Sequence, residues 1–248
     1  MASSSAPLRS EWMGAIIGTA GWSIPASEAG HFPADGTALE RYAARFRGVE
    51  INSSFHRPHR ASTWARWAES VPAGFCFAVK VPKAITHVRK LVDCAELAAE
   101  FVEETRALGD KLAILLVQLP PKLAFDGDLV RGFFRHLSGL ASATIVCEPR
   151  HPSWFEAEAD ALLESLGVAR AAADPAVVPD ASVPGGWRGL GYWRLHGSPA
   201  MYRSAYDDAR LDEYARQIGA EPGQAWCMFD NTAGSAATGD ALKLMARL

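Results

Sequence analysis

The 248-residue sequence lacks most of the signatures that assign a chemistry on sight. Its four cysteines (Cys76, Cys94, Cys147 and Cys227) form no CxxC pair, so neither a zinc ribbon nor a dithiol redox motif is supported. Cys76 and Cys147 lie inside apolar runs, which fits buried thiols in a reducing, cytoplasmic compartment. No apolar stretch approaches the ~18 residues of a membrane span, so no membrane partner is expected. HxH, HExxH, GxSxG and GxxxxGK[ST] are all absent, and no GxGxxG follows the first apolar run. Zinc proteases, serine hydrolases, P-loop proteins and open dinucleotide-binding sheets therefore find no support, and neither metal nor cofactor is expected. Charge of one sign is also lacking: the net charge of −3 gives no global pull toward nucleic acid or anionic lipid. No low-complexity segment or mid-chain linker divides the chain. Met1–Arg9 is rich in Ala and Ser without an apolar signal core, so residues 1–13 are expected to form a loosely attached tail and 14–248 a single domain.

What is present is a pattern. With 49% apolar and 21% charged residues, a chain of this size buries about 70% of its surface on folding, enough for a core without staples. Eight short apolar runs, at 14–18, 48–51, 75–81, 112–119, 144–147, 168–173, 191–195 and 224–229, recur about every 30 residues, the length of a βα unit. Helical stripes fill most of the gaps. Thr37 is placed to cap one of them, Ser62 or Thr63 the next, and Gly109, Gly139, Gly167 and Gly219 are placed as stops. Only the stretch 175–189, rich in Pro and Gly, reads as loop. Strands alternating with helices imply a parallel sheet, and eight of them favour a single (β/α)8 TIM-type barrel over an open sheet.

In such a barrel chemistry gathers where strands end. The runs here close on Glu50 and Asn52, Lys80, Gln118, Glu148 with Arg150 and His151, Asp174, Arg194 with His196, and Asp230 with Asn231. Each alone could be a salt bridge capping the wall; together they point to one mouth. Between His56 and Lys90 stand seven Lys/Arg, including Arg57, against the single acid Glu69, so this stretch carries +6 and the remainder −9. That makes a basic rim suited to phosphate, carboxylate or a nucleic-acid backbone. Trp22, Phe55, Trp154 and Tyr202 follow strands around the same rim and could stack on a ring or simply pack the loops. Gly234 is placed to open the last helix with N–H groups free for an anion. A metal cluster drawn from Glu50, Glu148, His151, Asp174, His196 and Asp230 is the alternative, but no ligand spacing supports it.

The strand-end motifs are Gly18-Thr19-Ala20-Gly21-Trp22, Val49-Glu50-Ile51-Asn52-Ser53-Ser54-Phe55, Phe77-Ala78-Val79-Lys80, Gln118-Leu119-Pro120-Pro121, Glu148-Pro149-Arg150-His151-Pro152-Ser153-Trp154-Phe155, Tyr192-Trp193-Arg194-Leu195-His196-Gly197 and Phe229-Asp230-Asn231. In this order they resemble the DUF72 (YecE-like) family from about residue 16 to the end. The resemblance implies a TIM-type barrel, and comparison with xylose-isomerase and endonuclease-IV barrels, hence sugar phosphate or nucleic acid. His56, where the family tends to have Tyr, and Asp230, where it tends to have Asn, depart from the pattern.

The residues support three expectations. The first is a small anionic ligand, phosphorylated or carboxylated, held by Lys80 and Arg194 with Arg57 or Arg150. Glu148, Lys80 and His196 then carry catalysis, and Trp22, Glu50, Asn52, Gln118, His151, Asp230 and Asn231 line the site. A lysine beside Glu50 or Glu148 is expected to stay charged, and an imine at Lys80 requires a depressed pKa. The second is a nucleic-acid-binding or -processing protein, and the third a non-catalytic ligand sensor.

Overall fold

The computed structural model describes residues 14–248; the expectation of a loose tail at 1–13 lies outside the described residues. Strands β1 (Ile16–Thr19), β2 (Gly48–Ile51), β3 (Cys76–Lys80), β4 (Leu112–Gln118) and β5 (Thr144–Glu148) fall on the first five apolar runs. Helices α1 (Ala38–Ala43), α2 (Ala61–Glu69), α3 (Ala95–Thr105), α4 (Gly127–Leu140) and α5 (Ala157–Ser165) intervene or follow. The sixth run divides into β6 (Val168–Arg170) and β7 (Ala172–Asp174). Then come a two-residue β8 (Gly185–Gly186), β9 (Leu190–Leu195), α6 (Asp208–Gly219), β10 (Gln224–Phe229) and α7 (Ala237–Met245).

These strands build two sheets, ordered β1-β10-β9-β7 and β2-β3-β4-β5-β6-β8, parallel throughout except for β8 on β6. Two seams join them into a TIM-type barrel. At the first, Ala20 bridges to Glu50, and the Gly21 N–H donates to the Glu50 carbonyl at 2.8 Å. Gly18 has no side chain because a Cβ there would collide with the Gly48 carbonyl. The buried Tyr42 hydroxyl pins the seam: it accepts from the Thr19 N–H at 2.9 Å and donates to the Gly48 carbonyl at 3.2 Å. At the second seam the sixth strand bends at Ala171, pairing first with β5 and then with β9. The run expected as one strand is split because its two ends serve different sheets.

Period-two alternation decides what faces where. Inward along β3 point Cys76, Ala78 and Lys80, along β4 Ile114, Leu116 and Gln118, and along β9 Leu190, Tyr192 and Arg194. The apolar members form an inner cluster with Ile16, Val146, Ala169, Trp226 and Met228. The outward set, among them Phe77, Val79, Leu115, Val117, Ile145, Trp193 and Leu195, packs beneath the helices in the larger core. All four cysteines are buried, and none forms a disulfide among the described residues. None of the described helices is long and apolar enough to cross a membrane.

Local signals held at some ends and failed at others. Thr37 caps α1 through a reciprocal box with Glu40, at 3.3 Å and 2.7 Å. α2 begins earlier than either expected cap, directly after Arg60, whose carbonyl accepts from Thr63 at 2.8 Å. α4 runs through Gly139, where an added Cβ would meet nothing within 4 Å, and ends a residue later. Gly234 does not open α7. It lies in the turn Thr232–Gly234, its N–H donates to the Tyr202 carbonyl at 3.2 Å, and it presses on the Arg203 backbone, so that N–H is not free for an anion. The 175–189 stretch holds no α-helix, only the single 3-10 turn Pro179–Ser182 and β8.

Candidate functional site

The alternation that fills the barrel with apolar side chains brings, one step further along each strand, a layer of polar ones: Glu50, Lys80, Gln118, Glu148, Arg194 and, just past β10, Asp230. All six are buried. Arg194 is the hub. Fully buried, it donates through Nε and Nη2 to the two oxygens of Glu50 at 2.9 and 2.6 Å, through Nη1 to Glu148 Oε2 at 2.6 Å, and through Nη2 to Asp230 Oδ2 at 3.0 Å. Four of its five N–H groups are thereby engaged. Tyr192, two residues earlier and so on the same face, donates its hydroxyl to Glu50 Oε2 at 2.9 Å. Arg150 grips the other oxygen of Glu148 through Nε at 3.0 Å and Nη2 at 2.8 Å, and its Nη1 donates to the Tyr202 hydroxyl at 3.3 Å.

His196 lies between two carboxylates, with Nδ1 3.1 Å from Asp230 Oδ2 and Nε2 3.2 Å from Glu148 Oε1. A carboxylate only accepts, so Nδ1 carries a proton. Nε2 also stands 3.2 Å from Arg150 Nη2. As neutral imidazole it accepts from Arg150; as imidazolium it donates to Glu148. Both protonation states have a partner in place, which suits a group that takes up and returns a proton.

The cluster sets its own ionisation. Burial pushes Glu148 up, but Arg194 and Arg150, helped by His196, outweigh it and hold the carboxyl well below its ordinary range. Asp230 is likewise lowered against burial by Arg194 and His196. Lys80 goes the other way. Burial, reinforced by the Arg194 charge, brings its ammonium down to about 8, with Glu50, Glu148 and Asp230 opposing. Of the expected pairing of Glu50 or Glu148 with Lys80 or Arg194, the Arg194 pairs form and the Lys80 pairs do not. Arg194 takes both carboxylates, and no ion pair to Lys80 is found among the described residues. Its Nζ instead lies over the Phe55 ring, 4.4 Å from the centroid. His87 packs edge-on to the same ring at 5.0 Å, lowered by burial and by the Lys80 charge.

On either side of Lys80, strands β2 and β4 end in neutral amides. Asn52 has a buried Oδ1 with no hydrogen-bond partner, and Gln118, also buried, has no side-chain hydrogen bond among the described residues.

The remaining expected residues lie outside this cluster. His151 caps the turn Pro152–Phe155, its Nδ1 accepting from the Ser153 N–H at 3.3 Å. Asn231 donates to Asp240 Oδ2 at 2.7 Å and to the Ser204 carbonyl at 2.9 Å, bracing α7. Trp22 packs edge-on to Trp67 at 5.2 Å, and Trp154 is buried, donating to the Leu123 carbonyl at 2.9 Å. Arg57 is exposed and lines a cavity of about 270 Å³ between the loops after β2 and β3 and helix α3. Asp174 accepts from the Tyr214 hydroxyl at 2.8 Å, away from the mouth. Among the described residues no group of three or more His, Cys, Asp or Glu is arranged to hold a metal ion. Sequence reasoning missed the parts played by Tyr192, Phe55 and His87; the parity of Tyr192 with Arg194 was the available signal for the first.

A TIM-type barrel with a buried polar layer at the C-terminal ends of its strands is the class these features define. The family model described as "protein of unknown function DUF72" matches residues 16–248, and the chain belongs to that family. It is similar to the UPF0759 protein YecE of Escherichia coli K12, 29% identical over 120 residues, covering 48% of this chain and 43% of that protein. The match thus spans less than half of that relative. Two solved DUF72 proteins share the fold. One, from Enterococcus faecalis V583, has 19% identity and a TM-score of 0.78, covering 94% of each chain. The other, from Thermotoga maritima MSB8, has 21% identity and a TM-score of 0.76, covering 94% of this chain and 98% of that one.

Proposed function

We propose that this protein binds a small anionic molecule, bearing phosphate or carboxylate, at the barrel mouth and acts on it by acid–base chemistry. The observation that carries the reading is Lys80: a buried cation at the strand ends without a carboxylate partner, beside two arginines whose charges are already matched. An arriving anion finds Lys80 as the charge still able to accept it. Asn52 and Gln118 supply hydrogen bonds to its polar atoms. His196, held between Asp230 and Glu148, moves the proton, and Glu148 stabilises the imidazolium. Arg194 braces the carboxylates and does not grasp the ligand itself.

The test couples binding to protonation. An anion beside Lys80 raises its pKa from about 8, so binding at pH 8 takes up a proton. Titration of a phosphate and carboxylate panel by calorimetry, in two buffers of different ionisation heat, should show that uptake, and Lys80→Ala should abolish it. A panel that binds the variant as well as the parent defeats the reading. Binding without turnover makes the mouth a receptor site. Steeply salt-dependent binding of an oligonucleotide, tracking the exposed Arg57, Arg60, Lys83, Arg89 and Lys90, favours nucleic acid instead.

A further inference from the structure

Three features of the mouth around Lys80 are left unexplained by anion binding alone. The lysine is only 8% exposed, although a phosphate-binding ammonium has no need of such burial. It rests on an aromatic face rather than against an acid. Its neighbours in the polar layer, Asn52 and Gln118, are neutral amides with unspent hydrogen-bonding capacity. The groups that influence it come from every side: Glu50 on β2, Glu148 on β5, Arg194 on β9, Asp230 after β10 and His87 after β3. This setting, with no acid paired to the amine, leaves a fraction of Lys80 as free amine, with two amide side chains beside it to meet a carbonyl oxygen.

We infer that Lys80 is the amine nucleophile for a small aldehyde or ketone that also bears a carboxylate or phosphate, such as a 2-oxo acid or a phosphorylated carbonyl compound. This rests on the anion-binding reading of the mouth: the unprotonated fraction of Lys80 adds to the carbonyl, and the imine, once protonated on Nζ, again faces the ligand's anion with a positive charge. The Nζ lone pair adds to the carbonyl carbon while the C=O π electrons move to oxygen. Nitrogen gives up one proton and oxygen gains one, leaving a carbinolamine. The C–O bond then breaks with a further proton transferred from nitrogen to the departing hydroxyl. An imine on Nζ and one water result, with no change of oxidation state. His196, with a partner in place for either protonation state, carries the protons. The imine acts as an electron sink for bonds at the adjacent carbon. Burial favours the free amine: at pH 7 a lysine of pKa about 8 is about a tenth unprotonated, against roughly three in ten thousand for one at 10.5.

Reductive trapping tests this on the full chain. The protein is treated at pH 7 with cyanoborohydride and either glyoxylate, an anionic aldehyde, or uncharged propionaldehyde, and the labelled lysines are mapped by peptide mass. With glyoxylate Lys80 should label at least about tenfold faster than the exposed Lys83, Lys122 and Lys243. Propionaldehyde should label it more slowly than glyoxylate does. Lys80→Arg, which keeps the charge, should lose the fast label while unfolding at a similar temperature. Labelling of Lys80 no faster than Lys83 with both aldehydes overturns the imine, even where Lys80-dependent phosphate binding survives. Equal fast labelling by both aldehydes upholds the imine and removes the anion requirement.

Discussion

The two sides of the barrel mouth are built on opposite terms. Around Arg194 every carboxylate is matched. Glu50 and Glu148 are bonded at both oxygens, Asp230 at one, and His196 has partners at both nitrogens. Around Lys80 almost nothing is matched: an ammonium without an acid, one amide with a buried orphan acceptor, another with no side-chain hydrogen bond. A folded chain gains from the first arrangement and loses from the second, because unsatisfied buried polar groups cost stability. The matched side is a rigid brace that places proton carriers. The unmatched side is the part that awaits a ligand.

The sharpest way to break this contrast is to remove the brace. Arg194→Met leaves Glu50, Glu148 and Asp230 buried without their shared cation, and breaking a buried pair in this way costs ~3–5 kcal/mol. Urea unfolding at pH 7 should show a loss of that order. The same brace sets an acid limit. Glu148 and Asp230 have folded pKa values below their ordinary 4.5 and 3.8, so their contribution is complete above about pH 4.5 and lost as pH falls through the folded values. In the variant that acid-side loss should flatten. Wild-type stability in Arg194→Met would mean the carboxylates are not held as described.

Much of this mouth was legible in the sequence. Glu50, Lys80, Gln118, Glu148, Arg194 and Asp230 each extend an apolar alternation by one inward step, and the aligned ends of parallel strands bring such residues together. The partnerships were not legible. Arg194 reaches Glu50, 144 residues away, and Glu148, 46 away, across the barrel interior. Its fork satisfies two carboxylates at once, which a lysine cannot do. Arg194 therefore captured both acids that the sequence offered equally to Lys80. The division of the sixth strand escaped for a related reason: the run 168–173 contains no Gly, Pro or other turn residue, and only sheet pairing reveals the bend at Ala171. Residues after the strands, such as His151 and Asn231, were read as facing the mouth. Loop geometry, which carries no periodicity, turns them to cap and brace instead.

The Lys80 side should respond with the opposite sign. Its folded pKa of about 8 lies below the ordinary 10.5, so below pH 8 both states are protonated and the folded state bears the full cost of a buried, unpaired ammonium. Between those values the unfolded chain holds a proton the folded one has released, and stability rises with pH; above 10.5 the cost is gone. Lys80→Met should therefore stabilise the fold by ~1–3 kcal/mol at pH 7, with the gain fading toward pH 10.5. A variant less stable than wild type at pH 7 would show that Lys80 is matched after all. A stabilising loss of a charged residue is the pattern expected where function holds it in place.

The smallest expected effect separates two asparagines that look alike in one respect. Asn52 and Asn231 both have a buried Oδ1 without a partner. Asn231 nonetheless donates through Nδ2 to Asp240 and Ser204, and Asp240 in turn accepts from the Tyr206 N–H at 3.1 Å, so Asn231→Ala frees a carboxylate and a carbonyl inside a connected network. That should cost ~1.5–3 kcal/mol. Asn52 has no side-chain hydrogen bond among the described residues, so Asn52→Ala removes an unsatisfied acceptor along with some packing, and the two nearly cancel, within ~1 kcal/mol. Urea midpoints for the two variants measure this difference directly, and binding of the phosphate panel should reverse the order: Asn52→Ala weakens it and Asn231→Ala, as long as it folds, leaves it. Equal stability losses at the two positions would place Asn52 in the structural brace and leave Lys80 and Gln118 to face the ligand without it.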